Sequence, residues 1–293
     1  MIPTATARPV VAAVLAWYAV HRRDLPWRRP GTTPWGVLVS EVMLQQTPVA
    51  RVRDPWLAWM RRWPTPAALA SEQPGEAVRA WGRLGYPRRA LRLHQAAVVI
   101  TKRHGGEVPC EHAALLALPG VGSYTAAAIA SFAFGQRHVV LDTNVRRVLT
   151  RVAIGIEFPG RSTTPADTAL AEQYLPARPD RAAAWAVASM ELGAVICTAR
   201  SPSCDRCPIR RRCAWHTAGR PSYDGPPRHG QTYEGTDRQC RGAILAVLRA
   251  TTMASESDLL PSWPDRPQRT RALASLQADG LVVRTPSGQF ALP

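Results

Sequence analysis

The sequence predicts an all-α fold that ends in a small module of helices and strands. Alanine, leucine and valine recur at helical spacing in runs of about ten to fifteen residues, and proline or glycine interrupts these runs. Alternation of apolar and polar residues, which is typical of strands, is rare before about the last fifty residues. Helical lobes are therefore predicted, and a sheet-based core is not.

Eleven helices are predicted before the C-terminal region, bounded by proline, glycine and polar residues. They lie at 8–21, 35–46, 49–62, 65–70, 74–81, 87–104, 112–117, 123–134, 143–152, 165–175 and 180–192. Near the C-terminus, shorter helices are predicted at 241–250, 255–260 and 266–278, and strands at 281–284 and 289–292. Three helices and a two-stranded hairpin predict a winged-helix-like α/β module.

The pattern divides the chain into five segments. They are an N-terminal helix that packs with the second lobe (1–25), a six-helix lobe (26–136), a second helical lobe (137–216), a linker (217–239) and the winged-helix-like module (240–293). The linker is predicted because glycine, proline and polar residues, including Pro226 and Pro227, replace the apolar periodicity there.

The charge of the chain predicts a polyanionic partner. Lysine and arginine number 37 against 21 for aspartate and glutamate, so the formal net charge is +16. Nucleic acid is favoured over an anionic membrane, and a generally arginine-rich composition is the alternative explanation. No segment reaches the roughly 18 apolar residues of a spanning helix. The apolar stretch from Val10 to Val20 is short and precedes Arg22 and Arg23, so it predicts a buried helix and no membrane partner.

Four of the six cysteines form a C-x6-C-x2-C-x5-C loop, namely Cys197, Cys204, Cys207 and Cys213. Thiolates at this spacing can surround one metal centre. The tight, asymmetric loop favours a 4Fe–4S cluster, and a structural zinc ion remains the alternative. Crowding of the cysteines disfavours a secreted disulfide framework and predicts a reducing cytoplasm.

The cysteine loop also carries cations. Its arginines are Arg200, Arg206, Arg210, Arg211 and Arg212. A rigid metal core would present them to a phosphate backbone, and Arg200 and Arg206 are candidate DNA contacts. The alternative is that these side chains only solvate the loop.

A glycine-rich turn separates two predicted helices between Leu118 and Ser123. Gly120 and Gly122 flank Val121, so the backbone can turn tightly and present amide groups to a phosphate. An ordinary interhelical turn would look the same. Asp142 follows about twenty residues later at the start of a helix, where capping the helix would be its structural role.

Several strings together resemble a known family. The LPGVG turn, the VLDTNVRRV string around Asp142 and the cysteine loop resemble the helix-hairpin-helix DNA glycosylases of the endonuclease III superfamily. The strings EVMLQQT and LPWR resemble its MutY-type adenine glycosylases, as does WGRLGY except for Arg83. The resemblance spans roughly residues 8 to 216. It implies two helical lobes with DNA across the groove between them, and a structural 4Fe–4S cluster.

The resemblance implies roles for three residues near the hairpin. Asp142 would stabilise positive charge that grows on the deoxyribose as the glycosidic bond breaks, and Asn144 would hold it in place. Tyr124 stands where strand-cleaving relatives carry a lysine. Because tyrosine cannot form an imine, the resemblance implies base removal that leaves an abasic site.

Glu41 is the candidate general acid. It stands alone among apolar neighbours in a predicted helix, and a partly buried carboxyl group has a raised pKa. Adenine leaves readily only when protonated, so Glu41 would protonate it at N7. A solvent-facing helical glutamate is the alternative.

Other residues are predicted to contact DNA. The resemblance places Gln45 and Gln46 at the lesion, where one inserts into the base stack while the target base is flipped. Further candidates are Arg28, Tyr86 and Arg88, together with the hairpin residues Gly120, Val121 and Gly122. Arg89 and Arg92 are candidate phosphate contacts on the same helix as Arg88.

The predicted partner is double-stranded DNA with adenine opposite 8-oxoguanine or guanine, bound by a monomer in the nucleoid-associated cytoplasm. Two departures from the family bear on 8-oxoguanine. Pro87 replaces a tyrosine used as a wedge, and the tail resembles a winged helix, not the family's Nudix-like domain. The alternatives are a mismatch thymine glycosylase, a non-catalytic DNA-binding module and, least favoured, an electron-transfer role for the cluster.

Overall fold

The computed structural model describes residues 4–225 and 233–293 and confirms the predicted all-α fold with a small strand pair at the C-terminal end. The helices up to residue 225 are α1 (Thr4–His21), α2 (Pro34–Leu44), α3 (Val49–Arg62), α4 (Pro66–Ala70), α5 (Pro74–Trp81), α6 (Arg88–Arg103), α7 (His112–Leu116), α8 (Ser123–Phe134), α9 (Thr143–Leu149), α10 (Pro165–Tyr174), α11 (Pro179–Val195) and α12 (Ala214–Thr217). After residue 232 follow α13 (Asp237–Ala250), α14 (Glu256–Leu259), α15 (Arg266–Ala278), β1 (Val283–Arg284) and β2 (Phe290–Ala291).

Local signals set most of the helix boundaries. Asp142 accepts a hydrogen bond from the Val145 amide and so caps α9, and Thr164 forms a capping box with Asp167 at the start of α10. Gly135 ends α8 in the left-handed conformation. Because these signals lie within a few residues of the helices they bound, the predicted and observed limits of α3, α5, α8 and α15 coincide.

Two predicted helices extend two or more residues beyond the observed C-terminal end of the α-helix. The helix predicted at 35–46 ends at Leu44, because Gln46 adopts a left-handed backbone with φ of 54°. The helix predicted at 143–152 ends at Leu149 and continues as a π-helical turn, Thr150–Ile154. In neither case does a glycine or proline stand at the position where the α-helix ends.

The described residues form two compact units. The first comprises the described residues within Met1–Val37, Cys110–Leu116 and Val121–Pro226, and the second those within Leu38–Pro109, Ala117–Gly120 and Pro227–Pro293. In the first unit α11 is central and packs against α1 and α9. Its core contains Val14, Val148 and Leu192, all nearly inaccessible to solvent.

The second unit is built around tryptophans. The Trp59 ring meets the rings of Trp63 and Trp81 edge to face, with centroids 4.6 and 5.7 Å apart. Helix α6 packs against α4 and α5, and contributes the buried residues Leu93 and Ile100. These side chains form part of the apolar core of the second unit.

The C-terminal module has the predicted order of three helices and a hairpin. Strands β1 and β2 pair antiparallel, with Val283 opposite Ala291, and Ala254 forms an isolated bridge to Phe290. The strands are shorter than predicted, since each contains two residues. Helix α13 starts at Asp237, with Thr236 as its cap, so it begins inside the predicted linker.

This module packs against α5 of the same unit. Arg79 on α5 donates hydrogen bonds to the carbonyl oxygens of Leu248, Arg249 and Thr251, which lie at the end of α13. In return Arg249 donates to the Val78 carbonyl at 3.0 Å. The Gly75 amide donates to the Pro293 carbonyl at 2.6 Å. The module is therefore bound to α5 at two places, namely the end of α13 and Pro293.

Part of the predicted linker, including Pro226 and Pro227, lies outside the described residues. The five predicted segment boundaries remain a prediction. Among the described residues, no helix is both long enough and apolar enough to cross a membrane.

Replacing Gly75 by alanine should destabilise the protein. A Cβ atom at this position would lie 2.4 Å from the Pro293 carbonyl oxygen and 3.0 Å from the Leu292 Cβ. Alanine normally stabilises a helix relative to glycine, but the overlap should outweigh that gain and cost about 1–3 kcal/mol. Urea denaturation of the G75A variant measures the change.

Gly160→Ala is the matched control, because the nearest heavy atom to its new Cβ lies 4.0 Å away. G160A should keep the unfolding midpoint of the unmodified protein. An equal midpoint for G75A would contradict the close packing of the C-terminal segment on α5.

Candidate active site and metal centre

Asp142 lies at the start of α9 with its carboxylate held from two sides. The Val145 amide donates to Oδ1 at 2.6 Å, and Asn144 Nδ2 donates to Oδ2 at 2.8 Å. Burial raises the pKa of Asp142, and these two hydrogen bonds oppose that rise. The carboxylate therefore has a fixed orientation in surroundings of low polarity, where its charge acts strongly on a nearby cation.

Asn144 in turn is held by Arg147, a residue that the sequence analysis did not single out. Arg147 donates to Asn144 Oδ1 at 2.8 Å, to the Gly193 carbonyl at 2.7 Å and to the Cys197 carbonyl at 2.8 Å. A chain of hydrogen bonds thus runs from the first cysteine of the loop to the Asp142 carboxylate. The sequence indicated this contact only through the spacing of Asn144 and Arg147, which stand three residues apart on a predicted helix and so lie on the same face.

The four loop cysteines surround one cavity. It is lined by all four thiols and by apolar side chains such as Val148, Leu192 and Ile209, and its empty volume is about 380 Å³ including the part open to solvent. None of the six cysteines, all of which lie within the described residues, forms a disulfide, and Cys110 and Cys240 do not line the cavity.

The residues of this cavity suit a metal–sulfur cluster. Four cysteine side chains around one cavity provide the thiolate set by which a 4Fe–4S cluster is held. Burial raises the pKa of Cys207 to about 12 and also raises that of Cys213, so thiolates here require compensating positive charge. Arg151 donates to Cys197 Sγ at 3.3 Å, as expected beside a cluster sulfur.

The cations of the cysteine loop point to solvent. Arg200 and Arg206 are exposed, as are Arg210, Arg211 and Arg212. Arg210 forms an ion pair with Asp205 at 2.7 Å, and no ion pair of Arg200 or Arg206 occurs in the part of the chain that the structure describes. Exposure at this loop is compatible with the predicted phosphate contacts, which remain a prediction.

Tyr124 lies in the first turn of α8 and is partly buried. It packs against a small cluster of Ala127, Ala128, Val140 and Ala186 in the same unit as Asp142. The hydroxyl of tyrosine stands where an amine would be needed for an imine, so the residue itself excludes that route.

The hairpin turn has the geometry that its glycines predicted. Gly120 has a φ of 79°, and a Cβ there would lie 2.8 Å from the Arg92 Cβ, so only glycine fits. Val121 is 7% exposed, whereas Gly122 is exposed and precedes α8 as its cap residue. Any contact of Val121 with DNA must therefore come from its backbone.

Glu41 lies on α2 and is buried, at 6% exposed. Its neighbours Leu38, Val42 and Met43 are also buried. The alternative of a solvent-facing glutamate is therefore wrong. A carboxyl group in these surroundings fits the predicted acid, a role that remains a prediction.

The predicted lesion contacts lie in two turns of the second unit. Gln45 and Gln46 follow α2, and Gln46 is exposed. Tyr86 precedes α6, is 52% exposed and has a φ of 47°. Arg88 on α6 is exposed but forms an ion pair with Asp279 of the C-terminal module at 3.2 Å. Arg89 is not an available phosphate contact, because it is buried beneath these turns.

Arg28 forms an ion pair with Glu191, a residue that was not predicted from the sequence. Glu191 on α11 is fully buried and accepts hydrogen bonds from Arg28 at 2.8 Å and from Arg23 at 2.6 and 2.8 Å. Burial alone would raise the pKa of Glu191, but Arg23 and Arg28 outweigh it and hold the pKa at about 2. The position of Glu191 among apolar residues near the end of the predicted helix at 180–192 was the available sequence signal, although its partners lie more than 160 residues away.

Replacing the fully buried Glu191 by glutamine should cost about 3 kcal/mol at neutral pH, because the partly buried guanidinium groups of Arg23 and Arg28 lose their counter-charge. The folded-state pKa of Glu191 is depressed, from 4.5 to about 2. Its contribution is therefore present above about pH 5 and lost as the pH falls toward 2. Urea denaturation of wild type and E191Q across this range should show the difference narrowing in acid.

Glu172→Gln is the control, since Glu172 forms a half-exposed ion pair with Arg137. E172Q should change stability by about 0.5 kcal/mol or less. A pH-independent difference between wild type and E191Q would contradict the ionised, buried state of Glu191.

Comparisons with known proteins match both functional regions. Residues 39–171 match the model of the HhH-GPD superfamily base excision DNA repair proteins, and residues 197–213 match the iron–sulfur binding domain of endonuclease III. The second match, together with the cysteine cavity, identifies the metal centre as a 4Fe–4S cluster. The zinc alternative is therefore wrong.

Whole-chain relatives are also found. The chain is 54% identical to the adenine DNA glycosylase of Mycobacterium tuberculosis, over 96% of this chain and 92% of that protein. It is 52% identical to that of Mycolicibacterium smegmatis, over 95% and 94%. The solved structure of a thermostable thymine-DNA glycosylase is similar with a TM-score of 0.66 and 27% identity, over 73% of this chain and 98% of that one. The chain belongs to the adenine DNA glycosylase family, within the HhH-GPD superfamily of base excision DNA repair proteins.

Proposed function

We propose that this protein is a monofunctional adenine DNA glycosylase that removes adenine mispaired with 8-oxoguanine or guanine and leaves an abasic site. The observation that carries the proposal is the partly buried Asp142 carboxylate, oriented by Asn144 and by the α9 amide of Val145. Its family membership supports adenine as the base removed.

In this proposal Asp142 and Glu41 divide the reaction between them. Glu41 protonates the extruded adenine at N7, which makes the base a better leaving group. The ionised Asp142 then stabilises the positive charge of the sugar until water adds. Their surroundings support the assignment, because Glu41 is buried and Asp142 partly buried, and neither carboxyl group could act strongly on the substrate from bulk water.

Tyr124 supports hydrolysis over strand cleavage. A lyase reaction needs an amine to attack the sugar, and neither Tyr124 nor its neighbours Ser123 and Thr125 offers one. The product is therefore an abasic site in an intact strand. The 4Fe–4S cluster, when bound, would hold the cationic loop in shape, and Cys197 would link that loop to Arg147.

The proposed partner is double-stranded DNA with a mispaired adenine, bound by a monomer at the nucleoid. DNA binding is a property of the family, and exposed Arg200 and Arg206 support a phosphate contact. The match to mycobacterial relatives extends over nearly the whole chain, so the C-terminal module belongs to the functional protein.

The first test compares excision from duplexes with adenine opposite 8-oxoguanine, guanine and thymine, and with thymine opposite guanine. We expect adenine release opposite 8-oxoguanine and guanine. Glu41→Gln should slow single-turnover release by about 100-fold or more, because protonation of the base is lost. Asp142→Asn should slow it by a similar factor of about 100 to 1,000.

Both variants should retain their affinity for the mispaired duplex in a filter-binding assay. Release of thymine opposite guanine by the wild type, with adenine untouched, would instead identify a mismatch thymine glycosylase. Full activity of either variant would contradict the division of roles between the two carboxyl groups.

Replacing Arg147 by methionine should slow adenine release by about tenfold or more, because Asn144 loses the bond that orients it toward Asp142. The iron–sulfur absorbance and the DNA affinity should stay near wild-type values. Arg178→Met is the control, since Arg178 is exposed and pairs only locally with Asp180. Loss of the cluster together with activity would mean that Arg147 acts on the metal centre and not on the catalytic carboxylate.

A further inference from the structure

Two turns of the second unit carry strained residues with exposed side chains. Among the described residues, Gln46, Tyr86 and Arg220 are the only non-glycine residues with positive φ. Gln46 follows α2 and Tyr86 precedes α6, at φ of 54° and 47°. Such conformations persist only where surrounding contacts impose them, and they concentrate at functional sites.

Arg89 is the side chain that contacts both turns. Its guanidinium donates to the carbonyl oxygens of Val42, Met43 and Gln45 at the end of α2. It also donates to Thr47 Oγ1 at 3.0 Å and to the Gly85 carbonyl at 3.0 Å. Arg89 therefore binds oxygen atoms of Gln45 and Thr47, on either side of Gln46, and the carbonyl oxygen of Gly85, which precedes Tyr86.

Aromatic rings and further hydrogen bonds complete this arrangement. The Arg89 guanidinium lies 5.3 Å from the centroids of both the Trp81 and the Tyr86 rings. Thr47 donates across to the Leu84 carbonyl at 3.2 Å, and Trp81 Nε1 donates to the Gly85 carbonyl at 2.9 Å. The two turns are thus cross-linked into one body.

Arg89 has no free surface with which to bind a phosphate. The residue is 8% exposed. Burial lowers its pKa to about 10, so it stays charged at neutral pH. Its planar group with several donors matches the fan of carbonyl oxygens around it, which a lysine ammonium could not reproduce.

We propose that Arg89 is a positioning residue that holds Gln46 and Tyr86 in the conformation in which they enter the duplex beside the extruded adenine. The inference rests on the proposed function, because that function requires the base to leave the stack. Presetting both turns lowers the cost of extrusion, since neither turn has to be ordered while the base moves. Arg89 therefore acts on base extrusion and not on bond cleavage.

The test uses Arg89→Lys in the full-length protein and two substrates. One is a duplex with adenine opposite 8-oxoguanine, and the other has the same adenine in a short unpaired bubble. We expect R89K to slow single-turnover release from the duplex by about tenfold, and from the bubble by about twofold or less. With 2-aminopurine in place of the adenine, the fluorescence rise on unstacking should be largely lost for R89K.

Arg103→Lys, at the exposed far end of α6, is the matched control and should behave as wild type on both substrates. The thermal-unfolding midpoint of R89K, followed by circular dichroism, tests whether the effect is only one of stability. We expect this midpoint to lie well above the assay temperature, so that R89K is fully folded while its release from the duplex stays slow.

The outcomes separate the two levels of inference. Wild-type protein that releases no adenine from any duplex would overturn the proposed function. Wild-type activity with equal slowing of R89K on duplex and bubble, or with no slowing at all, would overturn only the positioning role. Wild-type release from the duplex by R89K at a temperature well below its unfolding midpoint would do the same, because it would show that stability alone was affected.

Discussion

Buried arginine side chains that donate hydrogen bonds to main-chain carbonyl oxygens hold the functional loops of this protein in place. Arg151 is the clearest example, because it is fully buried and binds the carbonyls of Glu157, Thr198 and Ala199. It thereby ties the cysteine loop to the π-helical turn. Arg147 does the same for Asn144, and Arg89 for the turns of Gln46 and Tyr86. Carbonyls that secondary structure leaves unpaired must find donors, and a guanidinium group satisfies several at once.

This use of arginine changes how the charge of the chain should be understood. A net charge of +16 predicts a polyanionic partner, and the family confirms DNA repair as the setting. Yet Arg89, Arg147 and Arg151 are buried, and Arg28 is bound to Glu191. The arginines that remain for DNA are the exposed ones, such as Arg200 and Arg206 on the cysteine loop. Composition counts both kinds alike, because burial depends on contacts between distant parts of the chain.

In the C-terminal module, too, charged side chains bind other parts of the protein. Between residues 233 and 293 acidic and basic residues are nearly equal in number, so the excess positive charge belongs to the rest of the chain. Asp279 pairs with both Arg88 on α6 and Arg241 on α13. Together with the bonds between Arg79, Arg249 and the helix ends, these contacts make the module part of the second unit. Its role in the structure described here is packing against α5 and α6.

Sequence alone determined what depends on neighbouring residues and on residue chemistry. Helix limits set by capping groups, the glycine turn at Gly120 and the spacing of the four cysteines were all predictable, because each signal lies within a few positions of its effect. The candidate residues Glu41, Asp142 and Tyr124 came from local strings as well. Only the tertiary structure decided which acids and cations are buried together. Glu191 binds Arg23 and Arg28, which lie more than 160 residues earlier in the sequence. Arg89 binds carbonyl oxygens at the end of α2, although its own helix starts more than forty positions later. Such contacts depend on how helices pack, and no local pattern encodes the partner of a buried charge.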